Sequence, residues 1–133
     1  MFWVPLISLY SGCRLEECSQ LYVDQIREVG GVMCMVIDEE HEGQSVKTSE
    51  KREVPLHPFL LELGLHRYAQ ELPAGSRLWS ELKRVGNRYS HYLSRRLSHY
   101  KKACGLGLKV TFHSFRGTVE TALREQDVHP HWI

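Results

Sequence analysis

The chain has 133 residues, 42% of them hydrophobic and 25% charged, with a net charge of +1, as expected for a globular domain with one hydrophobic core. Its four cysteines form no CxxC pair, so the sequence indicates neither a disulfide framework nor a zinc ribbon, and we expect a cytoplasmic protein. The apolar stretch 2–10 has only about nine residues and no basic leader, so we expect neither a signal peptide nor a membrane span.

The first half of the chain predicts two helices and a small sheet. Residues 3–10 are apolar on all sides and predict a buried helix closed by Gly12, followed by a short helix over residues 14–21. The apolar run 32–37 and the alternating segment 52–56 predict strands. Between them lie an acidic connection, 38–43, and the segment 45–48, so a hairpin or a three-stranded sheet fits.

The second half predicts three helices. Pro58 begins a helix that runs to Leu72 and ends at residues 73–75. A second helix is expected over 88–104 and a third over 113–126, and Pro130 begins a further segment. Their expected apolar faces consist of Tyr89, Leu93, Leu97, Tyr100 and Cys104 in the second helix and Phe115, Val119, Ala122 and Leu123 in the third. The predicted fold class is therefore α+β, mostly helical with a small β element.

The two signs of charge are separated along the chain. Residues 1–76 carry six Lys/Arg and twelve Asp/Glu, a balance of −6, whereas residues 77–133 carry eleven and four, a balance of +7. Cations interleaved with tyrosine and histidine suit a surface that follows DNA phosphates, although a solvated helix face has the same composition. The expected DNA-binding residues are Arg77, Lys83, Arg84, Arg88, Arg95, Arg96, Lys101 and Lys102.

Three short motifs contain residue types suited to phosphate chemistry. The segment 11–17, SGCRLEE, has an arginine at a helix start and a carboxylate three residues later. The pair Lys47-Thr48 precedes a predicted strand, and the segment 113–116, HSFR, has a histidine and an arginine on one helix face. Each motif alone also fits an ordinary surface, because helix ion pairs and solvated turn lysines are common.

Together and in this order, the motifs resemble those of the tyrosine recombinases, the phage integrase family, over nearly the whole chain. Residues 2–17 resemble the first arginine box, residues 47–58 the lysine-bearing β hairpin, and residues 112–116 the HxxR box. The resemblance implies a partial catalytic domain over residues 1–133, without the family's N-terminal DNA-binding domain, that serves site-specific recombination and DNA integration.

The resemblance also implies a role for each site residue. In this family a tyrosine attacks a DNA phosphodiester without metal or other cofactor, and protein cations stabilise the pentacoordinate phosphorus. Arg14 and Arg116 would bind the phosphate oxygens in bidentate fashion, and Lys47 would protonate the departing 5′ oxygen. His113 would handle protons and bind phosphate. Glu17 would orient Arg14, or would simply be its helix partner.

The sequence departs from the family after the HxxR box. The family's further His or Trp follows about two dozen residues after the box arginine and the nucleophilic tyrosine about nine residues later. All six tyrosines here precede the box, and Trp132 comes too early, so we expect Trp132 in the core. We therefore expect a fragment that contains the arginine pair but no nucleophile and does not cleave DNA alone, unless a second polypeptide donates the tyrosine.

The resemblance implies double-stranded DNA as the partner. It also implies that the full-length protein forms a tetramer on DNA, whereas we expect this fragment to be a monomer. The protein is expected in the cytoplasm, encoded by a bacterial host or a prophage. One alternative is a non-catalytic DNA-binding or regulatory remnant of an integrase. Another is a helical interaction module with no role on nucleic acid, which leaves the charge separation unexplained. A third is a zinc site, for which the candidate ligands are Cys13, Cys18, His129 and His131.

Overall fold

The computed structural model describes residues 2–48 and 50–130. Six helices and three strands form the described part, and a single 3-10 turn, Val23–Gln25, precedes the first strand. The helices are α1 (Trp3–Ser11), α2 (Leu15–Ser19), α3 (Pro58–Glu62), α4 (Leu65–Gln70), α5 (His91–Ala103) and α6 (Ser114–Glu125). The strands are β1 (Ile26–Val29), β2 (Val32–Ile37) and β3 (Arg52–Pro55). The predicted class, α+β with a small sheet, is confirmed.

Helix α1 ends where the sequence predicted. Gly12 takes the left-handed conformation (φ +68°) and donates its N–H to the carbonyl of Ser8 at 2.8 Å. A glycine is favoured here because other residues are strained at this φ. A Cβ on Gly12 would lie 3.4 Å from Val119 of α6, so the absent side chain also lets α6 approach the end of α1.

The sheet is antiparallel with the order β1-β2-β3. Ile26 pairs with Met35, which in turn pairs with Val54. Gly30 and Gly31 join β1 to β2 with positive φ at both residues, as a tight hairpin turn requires. The residue pattern did not predict β1, because this edge strand is short and carries two charges.

The segment 45–48 is not a strand, although the sequence left it open as the third strand of the sheet. Val46 is 3% exposed and belongs to the hydrophobic core, and its N–H is donated to the Glu39 carboxylate at 2.6 Å. The loop between β2 and β3 is therefore attached to the body of the protein by a buried side chain.

One core unites the sheet with α1, α2, α3 and α4. Trp79 is its largest fully buried side chain, and its indole N–H is donated to the Cys18 carbonyl at 2.6 Å. This bond ties the segment after α4 to the end of α2. The fully buried aliphatic residues around it include Ile7, Leu21, Met35, Ile37, Leu60, Leu65 and Leu78.

Three predicted helices differ in extent from those in the structure. The helix expected from Pro58 to Leu72 is split at Gly64, whose φ of +95° cannot continue an α-helix. The helix expected over 88–104 begins three residues later, at His91, because Arg88 pairs with Val85 across a tight turn that contains Gly86. The helix expected over 14–21 spans only Leu15–Ser19.

The predicted apolar faces of α5 and α6 are more exposed than expected. In α5, Leu93 is buried, but Tyr100 is 71% exposed and Cys104 is exposed. None of the described residues of α6 is buried, and Ala122 is exposed. Helix α1 is the element that packs most closely on α6, and it covers only part of that face. Trp132, expected in the core, lies outside the described residues.

Candidate functional site

Arg14 is held by Glu17 through both its backbone and its side chain. Arg14 is the extended residue that precedes α2, and the Glu17 carboxylate accepts its backbone N–H at 2.9 Å and its Nη1 at 3.0 Å. The carboxylate is 2% exposed, whereas the Arg14 side chain is 29% exposed. The guanidinium therefore stays accessible while its position is set by a buried anion.

A second arginine, Arg52 of β3, binds the same carboxylate. Its Nη2 donates at 2.6 Å to Oε2 of Glu17, the oxygen that also accepts the backbone N–H of Arg14. No role was predicted for Arg52 from the sequence, although the alternation along its strand contains a signal. Arg52 shares its phase along β3 with the half-buried Val54, and an arginine on the inward phase of a strand needs a buried partner.

The hydrogen-bond donors around Glu17 keep it ionised. Burial by itself would raise the pKa of the Glu17 carboxyl, but hydrogen bonds from the Arg14 backbone N–H and the Arg52 guanidinium outweigh burial and lower this pKa below its ordinary value. Glu17 therefore stays negative at neutral pH, and the combined charge of Glu17, Arg14 and Arg52 is +1.

Arg116 lies on the same side of the molecule as Arg14. It is in the first turn of α6, donates its Nη1 to the Gly12 carbonyl at 3.3 Å and pairs its Nε with Glu120 at 2.9 Å. Arg14, Arg52 and Arg116 line one cleft of about 510 Å³, which we call the arginine cleft. The two arginines predicted to bind one phosphate thus line the same cleft.

Lys47 lines a neighbouring cleft of about 830 Å³, which we call the lysine cleft. Arg14 lines both clefts and so connects them. Lys47 is exposed and directly follows the buried Val46 in the loop between β2 and β3, as predicted for a lysine on a β hairpin. The other residues with acidic or basic side chains that line the lysine cleft are Glu16, Glu17, Arg88, His91 and Arg95.

A group of glutamines holds the loop just before Lys47. Gln20, 2% exposed, donates its Nε2 to the Ser45 carbonyl at 3.1 Å and accepts the Ser45 N–H at 3.0 Å. Gln44 donates its Nε2 to Gln25 at 2.8 Å. These bonds connect the loop that carries Lys47 to the segment that follows α2. Arg14 directly precedes α2, so both residues are attached to the same part of the protein.

His113 is separate from these clefts. It is exposed, directly precedes α6, and lines neither cleft among the described residues. Its backbone carbonyl accepts the N–H of Arg116 at 3.1 Å. The structure therefore brings together Arg14, Lys47 and Arg116 around two joined clefts, but it does not bring the imidazole of His113 into them.

Six of the eight predicted DNA-binding residues are exposed, and the other two, Arg77 and Lys101, are half-buried. The Arg77 guanidinium donates to the carbonyls of Leu82 at 2.6 Å and Ser19 at 3.0 Å, and it stacks over the Tyr89 ring at 3.6 Å. Lys101 donates to the Val110 carbonyl at 2.7 Å. Arg77 thus has a role within the protein, and its contact with DNA stays a prediction. The exposed members are Lys83, Arg84, Arg88, Arg95, Arg96 and Lys102.

Of the two thiols considered as zinc ligands, Cys13 lines the arginine cleft and Cys18 is fully buried. A hydrogen bond from Cys18 lowers the pKa of Cys13 to about 7, in spite of burial, and the same pairing raises the pKa of Cys18. Among residues 2–48 and 50–130, no three His, Cys, Asp or Glu side chains are grouped as metal ligands. His131, the fourth candidate ligand, lies outside the described residues.

Within residues 2–48 and 50–130, no helix combines the length and the hydropathy that crossing a membrane requires.

No curated protein and no solved structure matches the chain. The model of the phage integrase family matches residues 4–133, a range that contains Arg14, the loop that carries Lys47, helix α5 and the HxxR box. On this match, and in agreement with the three motifs in the sequence, the chain belongs to the phage integrase family.

Proposed function

We propose that this chain binds the backbone of double-stranded DNA at the arginine and lysine clefts and holds one phosphodiester there for metal-free transesterification. The observation that carries the proposal is that Arg14 and Arg116, from opposite ends of the chain, line a single cleft. A guanidinium is always charged at neutral pH and binds phosphate oxygens through two parallel N–H groups. Two of them at one cleft suit a phosphorus that gains negative charge.

In the proposed reaction, a tyrosine oxygen forms a bond to phosphorus while the bond from phosphorus to the 5′ oxygen breaks. Arg14 and Arg116 stabilise the charge on the non-bridging oxygens, and Lys47 delivers a proton to the departing 5′ oxygen. His113, whose implied role is to handle protons, would accept the proton that the tyrosine hydroxyl loses, although its imidazole lines neither cleft in this structure. Glu17 keeps Arg14 oriented, which the 3.0 Å ion pair supports.

None of the six tyrosines is the nucleophile in this proposal. All of them precede the HxxR box in the sequence. Tyr68 donates its hydroxyl to the Leu78 carbonyl at 3.0 Å, and Tyr89 is buried under Arg77, so both have roles in packing. We therefore propose that these 133 residues bind DNA and do not cleave it with a tyrosine of their own.

The first test measures binding of the 133-residue chain to a short DNA duplex over a range of salt concentrations. We expect Arg14→Ala and Arg116→Ala to weaken binding and to lower the salt slope by about one unit for each phosphate that the variant no longer neutralises. Arg67→Ala is the matched control, because Arg67 is an exposed arginine of α4 outside both clefts. No retention of the wild-type chain on duplex DNA at low salt would refute the proposal and favour an interaction module.

The second test separates catalysis from binding. The chain is extended through its native reading frame and incubated with a nicked suicide DNA substrate. We expect a covalent adduct that Arg14→Lys and Arg116→Lys abolish, because lysine cannot supply the bidentate hydrogen bonds. If the extended protein binds DNA but forms no adduct, and the two lysine variants bind as well as the wild type, the non-catalytic remnant is the correct function.

A further inference from the structure

The beginning of α5 is held by a carboxylate from another helix. Glu16 of α2 accepts the N–H of Tyr89 at Oε1 (2.8 Å) and the N–H of Ser90 at Oε2 (3.0 Å). Ser90 directly precedes α5, and its own side chain caps no backbone group of the described residues. Backbone N–H groups at a helix start lack helical partners, and the helix dipole favours a negative charge there. Glu16 supplies both the acceptors and the charge.

Helix α5 has few other attachments to the protein. Leu93 is its only fully buried residue among the described residues 91–103, and Leu97 is half-buried. The helix contains no acidic residue, and its basic side chains face solvent, apart from the half-buried Lys101. A helix of this length is marginal in water without tertiary contacts. Its position therefore depends strongly on the bonds at its N-terminal end.

Glu16 lies between the two sides of the lysine cleft. Arg14 and Lys47 line the cleft from the side of α2 and the loop, whereas His91 and Arg95 line it from α5. A carboxylate on a surface that binds phosphates repels the ligand by Coulomb interaction. The presence of Glu16 there is explained if the gain in DNA affinity from positioning α5 exceeds the loss from this repulsion.

We propose that Glu16 is a positioning residue for DNA binding. Its carboxylate fixes the start of α5 against α2, so that Arg88, His91 and Arg95 face the same stretch of DNA backbone as Arg14 and Lys47. This inference rests on the proposed binding of duplex DNA. It assigns a role in that binding to an acidic residue, whereas the residues proposed to contact DNA are basic.

The decisive variant is Glu16→Gln, measured by binding to a short duplex over a range of salt concentrations. Glutamine has the same size, but its amide nitrogen cannot accept the second N–H. We expect the affinity for DNA to fall about threefold to tenfold. One of the two charge-assisted hydrogen bonds to the start of α5 is lost, whereas every basic residue that is proposed to contact phosphate is kept. Coulomb's law alone predicts the opposite, since the variant removes a negative charge. Glu62→Gln, at an exposed carboxylate of α3, is the matched control and should bind at least as well as the wild type.

Two further readouts separate positioning from general destabilisation. The salt slope should decrease in Glu16→Gln, because fewer basic residues of α5 meet phosphates, whereas partial unfolding leaves that slope unchanged. Hydrogen exchange of the Tyr89 and Ser90 amides, measured without DNA, should become faster. Glu16→Asp keeps the charge but shortens the side chain, so we expect it to show the same changes.

The possible failures are distinguishable. Unchanged exchange at Tyr89 and Ser90, or wild-type affinity of Glu16→Gln on DNA, would overturn the positioning role. If the wild-type chain itself does not bind duplex DNA, the proposed function is overturned, and the DNA-binding part of this inference is overturned with it. Faster exchange together with weaker binding and a lower salt slope supports both.

Discussion

Replacing Glu17 tests whether one buried carboxylate holds the arginine site together. Its two oxygens accept the Arg14 backbone N–H at 2.9 Å, the Arg14 Nη1 at 3.0 Å and the Arg52 Nη2 at 2.6 Å. Glu17→Ala removes all three acceptors at once. It leaves one backbone N–H and two guanidinium groups without their partner, at a position where the carboxylate is only 2% exposed.

The expected cost follows from the burial of the partners. Each hydrogen bond to a charged group contributes about 1.5 to 3 kcal/mol, so three such bonds set an upper limit. The Arg14 and Arg52 side chains are 29% and 32% exposed, so water replaces part of what they lose. We therefore expect Glu17→Ala to lower the free energy of unfolding by about 3 kcal/mol, a large fraction of the stability of an ordinary domain.

The assay is urea denaturation of a double-mutant cycle. The cycle compares the wild type, Glu17→Ala, Arg52→Ala and the double variant, with Glu28→Ala, an exposed carboxylate of β1, as the control. We expect a coupling energy between Glu17 and Arg52 of about 1 to 2 kcal/mol. The control should change the free energy of unfolding by less than about 0.5 kcal/mol.

Two results would refute this reasoning. A coupling energy within about 0.5 kcal/mol of zero would mean that the 2.6 Å contact adds nothing to stability. A Glu17→Ala variant as stable as the control would mean that Arg14 does not depend on Glu17 for its position.

Two further predictions concern the same region. The lowered pKa of Glu17 implies a contribution to stability that is fully present above its unfolded-state value of 4.5 and is lost as the pH falls through the lower folded-state value. In urea titrations between about pH 3 and about pH 7, the free energy of unfolding should therefore fall more steeply with acidification in the wild type than in Glu17→Gln. Parallel curves of the free energy of unfolding against pH for the two proteins would contradict this sign. Gln20→Ala removes both bonds to Ser45, so it should cost about 1 to 3 kcal/mol and speed hydrogen exchange of the Ser45 amide. Slow exchange at Ser45 in that variant would show that the loop before Lys47 is held by other contacts.

The exposed face of α6 illustrates the limit of periodicity. The pattern over 113–126 correctly predicted a helix, because a helical repeat is a property of neighbouring residues. It did not predict burial, because burial depends on whether another element covers the apolar side. Helix α1 covers part of α6 where Gly12 allows close approach, and Phe115, Val119 and Leu123 stay half-buried.

The amino-acid sequence by itself determined the local features of this protein. The end of α1 at Gly12, the strands β2 and β3, the i,i+3 pair of Arg14 and Glu17 and the order of the three motifs follow from residue types at short spacing. The same local signals overestimated the helix from Pro58 to Leu72, because they did not weigh the left-handed conformation at Gly64.

Only the tertiary structure decided which distant residues share a bond. Arg52 binds Glu17, and Glu16 binds the start of α5. Arg77, which the sequence assigned to DNA, donates to Ser19 and Leu82 inside the protein. The physical reason is the same in each case. A buried polar group takes whichever partner the packing of the core brings within hydrogen-bond distance, and that distance is set by the whole fold.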